Sequence, residues 1–120
     1  MMAELINVEG ELVTELATAT GKPAATGPSD APQFLVIRRT GGPARLRTSD
    51  MPLFVVEAYA NREDHAIALL NQARQHLLFL RKLGPRRVMS CAEVGGPGNL
   101  PDPNLPTYSR YTATFDMHLR

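Results

Sequence analysis

The chain has 120 residues, 43% of them hydrophobic and 21% charged, values that support a packed core and exclude a wholly disordered polymer. One cysteine allows neither an intramolecular disulfide nor a thiolate zinc cluster, so a reducing compartment is the default. Net charge is +1, but the first 20 residues hold four acids and no Lys or Arg, which leaves all 13 basic residues in the remainder.

That acidic opening, with Glu4, Glu9, Glu11 and Glu15 among apolar residues, is opposite in charge to a targeting peptide. No apolar run approaches membrane-spanning length, so no membrane partner is expected. Residues 3–19 read as a helix: Leu5, Val8, Leu12 and Leu16 recur at spacings of three and four, Gly10 weakens it, and Gly21 with Pro23 stops it. Residues 21–33 carry three prolines and read as a linker.

Phe34–Arg39 and Leu53–Ala60 are β-type runs. Gly41, Gly42 and Pro43 mark a turn between them, and Arg45, Leu46 and Arg47 alternate as in a hairpin arm; an ordinary solvated loop fits the arm equally well. Asn61 opens the strongest helix, with Asp64 three residues on as a variant N-terminal cap. Ala66, Leu69, Leu70, Ala73, Leu77 and Leu80 form its apolar stripe, Arg81 and Lys82 suit its negative end, and Gly84-Pro85 is expected to end it. Arg86–Val94 is the next strand. A stiff connection from Gly95 to Pro106 follows, either an arm laid on a surface or a passive excursion. Ser109–Arg120 alternates throughout, with Tyr111, Ala113, Phe115, Met117 and Leu119 on one parity, as a strand with one buried face requires.

These elements predict a single α+β domain over 1–120, in the order α-β-β-α-β-β, with one mixed four-stranded sheet and both helices on one face. The other face would hold Leu35, Ile37, Phe54, Val56, Met89 and Cys91, and so invite a second subunit.

Catalytic chemistry is sparse. His65 and His76 are 11 residues apart, about 16 Å along a helix, and cannot share a metal. Cys91 and His118 are conceivable as nucleophile and base, without an evident third group. Gly95-Gly96-Pro97-Gly98 lacks the helix start and lysine of a phosphate cradle. The arginines lack an aromatic platform for nucleic acid, so direct binding is not expected. No cofactor is implied.

Taken together, Gly41-Gly42, Asn61-Arg62 at the main helix, Gly96-Pro97, Pro101-Asp102, Arg110-Tyr111 and the closing Phe115–Arg120 strand give a layout, from about Leu5 to Arg120, that resembles the tail terminator proteins of long-tailed bacteriophages. The resemblance implies a non-enzymatic virion protein, assembled in the host cytoplasm, that forms a hexameric ring on the tail tube. Such a ring ends tube growth and presents the head-joining surface, with itself, the tube protein and a neck or head-completion protein as partners. Candidate contacts are Glu9 and Glu15 on the first helix, Arg45 and Arg47 on the arm, Arg86 and Arg87, and Pro101, Asp102 and Pro103 in the stiff connection. A different head-tail connector or neck adaptor, or a small Cys/His enzyme or ligand-binding domain, are the competing classes.

Overall fold

A computed structural model describes residues 5–46 and 49–120, with backbone alone at positions 45 and 46. Asn7 sets the start of helix α1, Val8–Thr20, by accepting the Gly10 N–H on its side chain at 3.1 Å. Gly10, expected as a weak point, packs against that cap: a Cβ there would stand 2.9 Å from the Asn7 amide nitrogen. Gly21 closes the helix in the left-handed conformation and returns its N–H to Ala17. Val8, Leu12 and Leu16 are buried as the spacing requires, whereas Leu5 precedes the helix and is 62% exposed.

Eight strands follow among the described residues, correcting the four-stranded expectation. Four are long: β2 (Gln33–Gly41), β5 (Leu53–Ala60), β7 (Arg86–Asn99) and β8 (Ser109–Leu119). Four are short additions: β1 (Ala24–Ala25), β3 (Ala44–Leu46), β4 (Ser49–Asp50) and β6 (Lys82–Leu83). Segments of two or three residues are too brief to carry a period, which is why they read as linker, arm and helix end. The chain order is therefore α-β-β-β-β-β-α-β-β-β. β2 pairs with β5, β5 with β8 and β8 with β7, all antiparallel. Among the described residues only the β1–β2 ladder is parallel.

β7 also runs through Gly95-Gly96-Pro97, so the connection to β8 begins at Leu100 and not at Gly95. Three irregularities in its ladder with β8 accommodate this, one of them skipping Gly96 and Pro97, which has no N–H to give.

The second helix, α2, spans Glu63–Leu78. Arg62 stands at its N-cap without a side-chain hydrogen bond, so Asn61 is not the cap. It ends well before Gly84-Pro85, because Phe79 and Leu80 bond back three residues and the chain turns to bury Leu83 under the helices. Gly84-Pro85 is instead the turn of the β6–β7 hairpin. α1 and α2 share one core with Leu35, Ile37, Phe54, Val56, Phe115 and Met117, on one face of the sheet.

Candidate interaction surface

The uncovered face is not apolar. Register turns Leu35, Ile37, Phe54 and Val56 toward the helices, where all are fully buried, and Cys91 packs against the same core. The opposite parity brings Phe34, Val36 and Arg38 of β2 beside Tyr59, Glu57 and Val55 of β5, and then beside Arg110, Thr112 and Thr114 of β8. Part of this face is closed by the chain itself. Phe34 stacks on Tyr59 at 4.6 Å, Tyr108 meets both rings edge-on, and Leu105 packs alongside. The Tyr59 hydroxyl donates to Asp102 at 2.9 Å and that of Tyr108 to the Ala31 carbonyl at 2.8 Å. The Pro-rich connection is thus an arm laid on its own sheet.

Beside this arm, Glu57 is only 8% exposed and takes Arg110 at 2.7 Å and Arg38 at 3.4 Å. Two guanidiniums and the carboxylates of Glu57 and Asp102 balance one another, so this shallow hollow offers no net charge to an anion. The Asn104 backbone N–H and the Tyr59 hydroxyl hold the Asp102 carboxyl below its usual value of 3.8.

At the β2 edge the backbone is covered. β1 pairs with Leu35 and Val36, and the Glu9 carboxylate accepts the Arg39 N–H at 2.9 Å. Arg39 forks onto Asp50, at 2.7 and 3.0 Å, and also donates to the Gly41 and Gly42 carbonyls. Gly42 must be glycine: its φ is +83°, and a Cβ would stand 2.0 Å from the Met51 oxygen. The base of the β3–β4 hairpin is thereby clamped to β2.

At the other end, Phe79 caps α2 and is 76% exposed, with Leu78 and Met89 also exposed. Arg81 lines the depression they share, and Lys82 and Arg87, paired across β6 and β7, are exposed. Periodicity alone could not signal this patch, because its apolar residues sit at an element end and on a strand edge rather than in a stripe.

The sequence-derived contact residues divide accordingly. Glu9 is spent on β2, and Glu15 binds His76 at 2.7 Å, tying α1 to α2. Arg86 is 5% exposed, inside the fold. Asp102 anchors the arm, while Pro101, Pro103 and Arg87 are exposed. Arg45 lies on β3 by its backbone, and Arg47 lies outside the described residues. Cys91 and His118 are not brought together: Cys91 faces the helix core, and His118, on the opposite parity of β8, bonds Ser49 at 2.9 Å. Burial, with Asp116 nearby, pushes the Cys91 thiol up to about 11, away from thiolate chemistry.

No protein-family model and no curated protein matches the chain. Its fold is shared with a solved chain from the virion of a native gene transfer agent (GTA) particle. The TM-score is 0.63 over 87% of this chain and 83% of that one, at 12% identity. The likeness is one of fold.

Proposed function

We propose that this protein is a structural component of a phage-type virion: a ring-forming subunit that caps a tail tube, ends its growth and offers the head-joining surface. The fold shared with a GTA virion chain over most of both lengths carries this reading. The resemblance of the sequence layout to tail terminators supports the finer assignment. An elongated subunit, 49 by 23 by 23 Å, with β3 and β4 continuing its sheet and Asp50 clamped by Arg39, suits heterologous packing around a closed ring. In this reading the Arg45 and Arg47 arm, Arg87, Pro101 and Pro103 meet neighbours, tube or neck protein. Glu9, Glu15, Asp102 and Arg86 support the subunit from within.

Negative-stain images and sedimentation of concentrated protein test it: rings with a central hole that stop tube extension in vitro are expected. A monomer at every concentration, without effect on tubes, would sink it. The double variant Arg45→Glu, Arg47→Glu should lose the ring while its circular dichroism is unchanged. The same fold likeness, drawn from a whole particle, equally supports a neck adaptor; binding to portal-type assemblies in place of tubes separates the two.

A further inference from the structure

The outer edge of β7 is open beyond its first residues. β6 covers Arg86 and Arg87, and Val88 donates to the Arg81 carbonyl at 2.9 Å. From Met89 to Val94 no further strand pairs on that side among the described residues. Register identifies the groups left over. Arg87 and Arg120 exchange both backbone hydrogen bonds, and Met117 gives its N–H to Pro52 on the far side of β8. Cys91 and Glu93, opposite Met117 and Phe115, therefore turn their N–H and C=O outward. Such an edge is a template for another strand.

What borders the edge specifies the strand. Leu78, Phe79 and Met89, which are 43%, 76% and 45% exposed, line a depression of about 190 Å³ between the end of α2 and β7. Arg81 lines it too. Close by, Lys82, Arg87 and Arg120 stand in one cross-strand row. Arg38, Arg39, Arg62, Arg74 and Arg110 each hold a carboxylate. Arg81, Lys82, Arg87 and Arg120 hold none among the described residues. Like charges directly opposite on paired strands destabilise the fold, unless an anion meets them.

We propose that this groove takes an extended segment of a partner protein, with alternating apolar and acidic side chains, as an added strand on β7. The apolar side chains would lie against Phe79, Leu78 and Met89, and the acids against the cationic row. A second copy is a poor source of that segment. Glu9, Glu15, Glu57 and Glu93 are engaged within the subunit. Among the described residues the exposed acids Asp30, Glu63, Asp64 and Asp116 lie off any free strand edge, Glu63 and Asp64 being in the first turn of α2 and Asp116 on β8, which is paired on both sides. The inference stands whether or not the chain forms a ring.

The test is amide NMR of the full chain titrated with a synthetic, end-blocked peptide of alternating valine and glutamate. Saturable shifts and slowed exchange at the Cys91 and Glu93 amides are expected. N-methylating the peptide backbone should abolish them. Phe79→Asp, or Arg81→Glu with Arg87→Glu, should weaken binding at least about tenfold while the remaining spectrum stays folded. Met89→Asp repeats the test should Phe79→Asp disturb the helix end. Three results would overturn the proposal: no shift at those amides, N-methylated peptide bound equally well, or protection that rises with protein concentration alone, which would make a second copy the occupant.

Discussion

At the β2 edge, Arg39 is forked onto Asp50, its N–H is taken by Glu9, and β1 covers the neighbouring backbone. At the β7 edge, Arg87 faces Lys82 and Arg120 without a carboxylate among the described residues, and Phe79 stands in solvent. Both edges belong to one sheet and both carry arginine, yet one is finished from within and the other is left for something outside. The difference shows where charge serves stability and where it serves recognition. An arginine buried against a carboxylate positions its own chain, while an unpaired cationic row adds repulsion that folding alone does not need.

The comparison is broken most directly at Arg39. Arg39→Ala leaves Asp50, 3% exposed, without its counter-charge, and a cost of about 3–5 kcal/mol is expected. Arg87→Ala, an exposed side chain where β6 pairs with β7, should stay within about 0.5 kcal/mol. Denaturant melts of the two variants check this, and equal losses would erase the distinction between the edges.

A smaller effect should separate the arm over Tyr59 from the open edge. Because the folded Asp102 titrates below its ordinary value of 3.8, its contribution is fully present above that value and is lost as the pH falls through the lower, folded one. Protection of the amides in residues 100–108, relative to free-peptide exchange at the same pH, should therefore fall at strongly acid pH. Asp102→Asn should remove that dependence and leave exchange at Met89 and Cys91 as it was. A wild-type arm indifferent to acid would show that the aromatic stack alone holds it.

Both helices and the closing strand were legible from periodicity, since each buries a stripe, Leu12 and Leu16, Leu69 to Leu77, Phe115 to Leu119, whereas β2 and β5, buried on both faces, were legible from their β-branched and aromatic runs. The misreadings fall where tertiary packing outranks local pattern. Leu80 continues the helical stripe and Arg81 and Lys82 suit a helix end, but burying Leu83 turns the chain away from the helix. Gly95-Gly96-Pro97 looks like a loop and is held as bulged strand by β8. The open face looked apolar because parity within a strand does not say which parity meets the helices. For the same reason Glu9 and Glu15 looked like surface charge: their partners Arg39 and His76 are distant in sequence.

The smallest expected effect sharpens the comparison most, because it separates stability from recognition by sign. Lys82 and Arg87 are direct cross-strand neighbours, so Lys82→Glu replaces a repulsion with an attraction, a gain of roughly 0.2–1 kcal/mol. If the row exists to hold an acidic strand, the same change should weaken the alternating valine and glutamate peptide. A thermal melt and a peptide titration of this one variant then move in opposite directions. A variant that loses stability instead would give Lys82 a structural duty, and one that gains stability while binding the peptide unchanged would remove it from the recognition surface.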